Sequence, residues 1–232
     1  RGPHLEAMQR NGLRVESTND GTFHAPGTAV DNTSNVGVQD LVLFTVKMYH
    51  NDSAMATVRP MVGPNTIILT LQNGVDNGED LAEAFGKSQV MIGSVMLEGR
   101  ISEPGVVTQG GPGKANFGEL TPGITERGEK LLAIFKEAGW EVELQENMVD
   151  MLWKKFAYLS ASAAVCAASN STMGEMRSVP ETREVLRQAI AEGFAVGRAR
   201  GAPIKDDALD WSMNSLDSFP AMGRSSMAKD FT

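Results

Sequence analysis

Hydrophobic positions in the first two thirds of the chain fall in short continuous runs, and in the last third they fall in helical stripes. Residues 41–46, Leu-Val-Leu-Phe-Thr-Val, form an unbroken run of strand length, the pattern of a parallel strand covered on both faces by helices. Residues 66–71, Thr-Ile-Ile-Leu-Thr-Leu, repeat it. Between the two, residues 53–62 read as a helix that Pro60 kinks or ends and Gly63-Pro64 breaks. Strand, helix, strand is a crossover unit, which predicts a parallel sheet. Ahead of it, residues 4–11 read as a short helix stopped by Gly12, with short strands at 13–16 and 22–25. Beyond it the pattern predicts a helix at 76–85, a strand at 90–97, strands and turns in the glycine-rich stretch 105–118, a helix at 125–138 and a strand at 140–144. In that last helix Leu131, Leu132, Phe135 and Ala138 share a face and Gly139 is the stop.

After about Asn147 the strand signals vanish. Helices are predicted at 148–169, at 181–200 closed by Gly201 and Pro203, and from 206 into the Met227 region. The fold class expected is therefore α/β: a parallel-sheet domain over residues 1–146, followed by an all-helical domain over 147–232. Small residues on the helical faces (161–168, Gly193, Gly197) permit close packing, either within the chain or between the subunits of a homodimer. The 13 methionines read as flexible core filling.

Composition narrows the function. With 29 acidic against 21 basic side chains, a net charge of −8, and no basic run longer than Lys154-Lys155, nucleic-acid binding is not expected. The single cysteine, Cys166, excludes a disulfide scaffold. The weakly polar stretch 156–169 is short of the roughly 20 apolar residues of a membrane span, and no basic-then-apolar leader opens the chain, so the expected compartment is the cytoplasm. The start at Arg1 and the stop at Thr232, directly after a polar helical pattern, read as an excerpt of a longer protein. His4, His24 and His50 are widely spaced with no cysteine companion, so no metal site is expected. The run from Gly110 to Lys114 has neither P-loop spacing nor a following Ser or Thr.

In open α/β sheets ligands bind beyond the carboxyl ends of the strands. There stand Lys47 after the first buried run, Gln72-Asn73-Gly74 after the second, and Glu98 after residues 90–97. Lys47 either meets an anionic or carbonyl ligand or snorkels to solvent, and Asn73-Gly74 is either a ligand contact or a plain turn. On helix 148–169, at about 100° per residue, Leu152, Phe156, Leu159 and Ala163 share a sector of roughly 60°. Lys155 lies at its edge and Lys154 points nearly opposite, which predicts that Lys154 is solvated. Lys155 has two readings: a stem covering the edge of the core, or a cation projecting into an interdomain cleft.

Together these segments resemble the ketopantoate reductase (2-dehydropantoate 2-reductase) family. The carriers are Arg1-Gly2-Pro3-His4-Leu5 with Asn11-Gly12-Leu13, Phe44-Thr45-Val46-Lys47, Leu71-Gln72-Asn73-Gly74-Val75, Leu152-Trp153-Lys154-Lys155-Phe156 and Ser225-Ser226-Met227-Ala228-Lys229-Asp230. The resemblance implies a Rossmann domain, a helical C-terminal domain, and NADPH-dependent reduction of an α-keto acid in pantothenate synthesis. It implies Arg1 on the 2′-phosphate of NADP, Lys47 and Asn73 beside nicotinamide and substrate, Lys155 as the general acid, and Ser226 on the substrate carboxylate. The family's glycine-rich loop would precede Arg1, and the acidic partner of its lysine would follow Thr232. Where family members carry substrate-binding asparagines, this chain has Leu159 and Ala163, which predicts weaker selection for a hydroxylated keto acid. Asn170 and Asp230 are the nearest polar replacements. The alternatives are a related hydroxyacid dehydrogenase and a non-catalytic NADP sensor.

Overall fold

The computed structural model describes residues 2–225 and residue 227. The chain divides into two compact units, Arg1–Gln72 with Asp76–Glu146, and Asn73–Val75 with Asn147–Thr232. In the first unit the elements run α1 (Gly2–Asn11), β1 (Leu13–Ser17), β2 (Gly21–Ala25), β3 (Leu41–Phe44), α2 (Asn51–Val58), β4 (Ile67–Thr70), α3 (Asn77–Phe85), β5 (Val90–Glu103), β6 (Val106–Glu119), α4 (Glu126–Glu137) and β7 (Val142–Leu144). The strands form a seven-stranded sheet in the order β2-β1-β6-β5-β4-β3, with β7 also on β6.

The crossover holds: β3 and β4 are parallel, Leu41 opposite Ile67, and β5 continues them in parallel, Val90 opposite Ile68. The sheet as a whole is mixed. β5 and β6, each 14 residues long, form an antiparallel hairpin in place of the shorter strands and turns expected there. Gly105 makes the hairpin turn at φ +81°, a conformation open to glycine, and its N–H donates to His4 Nδ1 (3.0 Å). β6 then runs parallel to both β1 and β7. Ile68 and Leu69 of β4 have no exposed surface, as a strand covered on both faces requires, whereas Leu43 on the edge strand β3 is exposed. One layer of core joins Leu69, Met91 and Phe117 to Leu131 and Phe135 of α4, with the Phe117 and Phe135 rings edge to face at 5.6 Å.

The second unit holds α5 (Met148–Ser169), α6 (Met173–Ser178), α7 (Pro180–Ala199) and α8 (Ala208–Ser218). Asn147 caps α5 by accepting the Asp150 N–H (3.0 Å), and Asn170 ends it in the left-handed conformation. α6 is an addition to the predicted elements; Thr172 and Glu175 form a reciprocal capping box at its start. α8 stops at Ser218, short of the expected Met227, because Phe219 precedes Pro220 and takes an extended conformation. Trp153, Ala157 and Tyr158 of α5 pack with Leu186, Ile190 and Phe194 of α7 in one core. A Cβ on Gly193 would lie 3.0 Å from that of Ala157, and one on Gly197 would lie 2.8 Å from the Trp153 ring, so these glycines serve close contacts inside the chain. No described helix is long and apolar enough to cross a membrane.

Candidate active site

Past the carboxyl end of β3, Lys47 is exposed and opens a helical turn, Met48–His50, with its carbonyl accepting the His50 N–H (2.8 Å). Beneath that turn lies a chain of buried amides. The Gln72 side chain donates to the Val46 carbonyl (2.6 Å) and to Asn51 Oδ1 (2.8 Å), and Asn51 Nδ2 donates to Asn77 Oδ1 (3.1 Å). The Thr70 hydroxyl donates to Gln72 Oε1 (3.0 Å). All four side chains are buried. Asn73, the next residue, is exposed, and Gly74 takes φ +109°, so the backbone turns away from the strand line there as Asn-Gly predicts.

On α5 the two adjacent lysines part company, in the opposite sense to the helical-phase expectation. Lys154, expected in solvent, is 6% exposed and pairs with Asp150 (2.9 Å), itself 5% exposed. Asp150 also accepts the Lys205 N–H (3.0 Å), and the Lys154 ammonium lies 5.4 Å from the centre of the Trp211 ring. The reason is packing: the small residues Ala157 and Ala161 let α5 approach its neighbours on the face centred near Lys154. Phe156 and Leu159, expected in the core, stay 39% and 38% exposed. Lys155 lies toward that second face, partly buried, and burial holds its pKa below the usual lysine value.

This chain belongs to the ketopantoate reductase family. Residues 1–122 match the family profile "Ketopantoate reductase PanE/ApbA", and residues 147–232 match "Ketopantoate reductase PanE/ApbA C terminal". A 2-dehydropantoate 2-reductase from Halobacterium salinarum is 29% identical over 229 residues, 98% of this chain and 74% of the relative. The crystal structure of 2-dehydropantoate 2-reductase from Geobacter metallireducens superposes with a TM-score of 0.83 at 31% identity, covering 98% of this chain and 76% of that one. A D-mandelate dehydrogenase in complex with NADH and anilino(oxo)acetate superposes at 0.82, with 99% of this chain and 75% of that one covered. At 19% identity that likeness is one of fold. Membership makes the chain an oxidoreductase of a nicotinamide-dependent class.

Lys47 supplies a cation and Asn73 an amide, each following a parallel strand at its carboxyl end, where α/β sheets take their ligands. That donor set suits the anionic and amide groups of a nicotinamide dinucleotide. Arg1 and Ser226, and with them Asp230, lie outside the described residues. Asn170 is committed elsewhere: its side-chain oxygen accepts from Arg224 (2.7 Å) while its backbone ends α5. The remaining candidates have structural duties. His4 braces the β5–β6 turn, Cys166 is buried with its thiol donating to the Ser171 carbonyl, and Lys114 of the glycine-rich run pairs with Glu141. Among the described residues no cluster of His, Cys, Asp and Glu could hold a metal. Sequence reasoning missed Asn51, Asn77 and the true place of Lys154; neither asparagine interrupts a hydrophobic run.

Proposed function

We propose that this chain catalyses the NADPH-dependent reduction of 2-dehydropantoate, or of a closely related branched 2-oxo acid, to the 2-hydroxy acid, a step of pantothenate synthesis. The observation that carries the reading is Lys155: a partly buried lysine of depressed pKa, at the position of the family motif Leu152-Trp153-Lys154-Lys155-Phe156. Residues 1–146 are assigned to NADP and residues 147–232 to the substrate. Arg1, Lys47 and Asn73 would hold the cofactor, Arg1 favouring NADP over NAD through the 2′-phosphate; Asn73 and Ser226 would hold the substrate.

The cofactor, when bound, supplies the hydride that the ketone carbon receives. The protein's own part is the proton. Lys155 Nζ, as the ammonium, gives a proton to the ketone oxygen, and its charge stabilises the alkoxide that develops there. Desolvation lowers its pKa toward working pH, where a general acid is most effective. On the same face Leu159 is 38% exposed and cannot hydrogen-bond a hydroxyl, which favours a second reading within the class: a reductase that takes 2-oxo acids with or without that hydroxyl.

The test follows NADPH oxidation by the full-length protein with 2-dehydropantoate and with 2-oxoisovalerate, which lacks the hydroxyl. Lys155→Met should lower kcat by about 10² to 10⁴ while NADPH binding is retained. In the wild type, reduction should decline as pH rises through the lowered Lys155 pKa, because only the protonated lysine donates, and Lys155→Met should lack that limb. A variant that keeps its turnover removes Lys155 from the chemistry, and NADPH binding without turnover in the wild type points to a sensor.

A further inference from the structure

We propose that Gln72 is a positioning residue of this oxidoreductase, the centre of a buried amide relay that fixes the backbone from which Lys47 reaches the cofactor. The inference deepens the reading above and rests on its assignment of Lys47.

The relay has a single sense. A backbone carbonyl only accepts, so the Gln72 side chain must present its NH₂ to Val46. The second hydrogen of that NH₂ goes to Asn51 Oδ1, which turns the Asn51 NH₂ toward Asn77 Oδ1. Gln72 Oε1 takes the Thr70 hydroxyl, and the Thr70 oxygen in turn accepts the Gln72 backbone N–H (3.3 Å). One acceptor at Val46 thus dictates the orientation of two further side chains. Gln72 and Asn51 are 8% exposed, Thr70 and Asn77 3%, so an unmade bond leaves a buried side-chain amide unsatisfied; the bonds among these four side chains are buried, and the one to the Val46 carbonyl is partly buried.

What the relay holds separates positioning from mere bracing. Asn51 and Asn77 are the first residues of α2 and α3, and the bond between them ties two helix starts. The bond to Val46 serves neither helix, and it lies beyond the end of β3 at Phe44, outside the strand pairing. Its covalent neighbour is Lys47, so it sets the peptide plane from which Lys47 departs. Gln72 is likewise the covalent neighbour of Asn73. A displacement of about 1 Å in such a pair costs on the order of 10²-fold in rate.

The experiment uses the full-length protein and Gln72→Met, which keeps length and removes both donors. Three readouts are expected to move together. Without cofactor, the amides of residues 47–51 exchange faster with solvent, while those of residues 67–70 keep wild-type protection. NADPH binds about tenfold more weakly, the scale of one buried hydrogen bond left unmade, whereas 2′-phospho-ADP-ribose, which lacks the nicotinamide, binds as before. With the 2-oxo acid, kcat/KM falls by about 10²-fold. Wild-type exchange and wild-type NADPH affinity in the variant overturn the proposal. Equal weakening of both nucleotides with a lowered melting temperature also overturns it, because that is a structural brace. If Gln72→Met does not fold, Thr70→Val, which removes the donor to Gln72 Oε1 and the acceptor of the Gln72 backbone N–H but leaves both side-chain donors of Gln72, should move the same readouts in the same direction to a smaller extent; no movement overturns the proposal. A wild type that neither binds nor oxidises NADPH defeats the parent reading and this one with it, whereas an active wild type matched by its variants defeats the positioning alone.

Discussion

Lys154→Met tests whether two neighbouring lysines divide structure from chemistry. In the folded chain the Lys154 and Asp150 side chains are 8% and 7% exposed and their charged atoms lie 2.9 Å apart. Deleting one partner of a buried pair strands the other charge and costs about 3–5 kcal/mol. Asp150 keeps the Lys205 N–H, which draws the figure toward the lower end, and the lost cation over Trp211 adds back up to about 1 kcal/mol, so we expect about 3–4 kcal/mol. Asp207, 3.8 Å away, is 71% exposed and contributes little. The assay is urea unfolding followed by helical circular dichroism. Combining Lys154→Met with Asp150→Asn, which retains the acceptor for Lys205, should return stability to within about 1–2 kcal/mol of wild type, because the double replacement leaves no buried charge without its partner. The cycle should therefore show coupling far above the ~0.5 kcal/mol within which independent sites add. A Lys154→Met cost below about 1 kcal/mol, the value of an exposed pair, refutes the burial and restores the solvated lysine that helical phase alone suggests.

Two further perturbations examine each unit. Gly197→Ala places a methyl against Ile204 Cδ1 and 2.8 Å from the Trp153 ring, so it should destabilise by about 1–3 kcal/mol in thermal melts, and a neutral result would show that α7 does not approach Trp153 this closely. In the first unit Arg127→Met should produce a pH-dependent loss. Burial raises the Glu119 pKa, but hydrogen bonds from Arg127 and Thr125 and the Arg127 charge outweigh it and leave the carboxyl below its ordinary 4.5. A depressed carboxyl contributes stability that is present above about pH 4.5 and is lost as pH falls through the lower folded value. The deficit of Arg127→Met should accordingly be largest near neutrality and shrink below pH 4.5; a deficit constant with pH removes Glu119 from the effect.

The elements most legible in the sequence are those whose residues bury as a run or a single stripe. β4 is readable because both its faces are covered, and α4 because Leu131 and Phe135, one helical turn apart, are its large buried side chains. β6 is not, since its glycines mimic turns: Gly111 takes φ +77° inside the strand, beside the irregular register between Met96 and Glu98. α6 carries a readable signal, the Thr172 and Glu175 capping pair, but at six residues it has no hydrophobic stripe to support it. On α5 apolar residues occur on two faces, and the larger side chains of Phe156 and Leu159 point to the wrong one. Which face packs is decided by fit: Ala157 lies against Gly193, an approach that a bulkier stripe forbids.

The candidate site divides the same way. Lys47 and the Gln72-Asn73 pair are visible because they are the polar residues that follow a buried run, a local contrast that one strand suffices to create. The residues that hold them in place are joined across the sequence: Gln72 reaches back 26 residues to Val46 and 21 to Asn51, and Asn51 reaches forward 26 to Asn77. No period links such positions: Gln72 shows as the polar end of a buried run, but nothing local names Asn51 or Asn77 as its partners. Lys154 stands one helical turn after Asp150, a spacing the sequence displays, but the Lys205 N–H that shares Asp150 lies 55 residues beyond it and is not marked by any local pattern. Groups that meet a ligand must break a hydrophobic pattern to reach it and so leave a mark in the sequence, whereas groups that orient them need only a partner. The orienting residues become legible when the chain folds and every buried donor has to be matched with an acceptor.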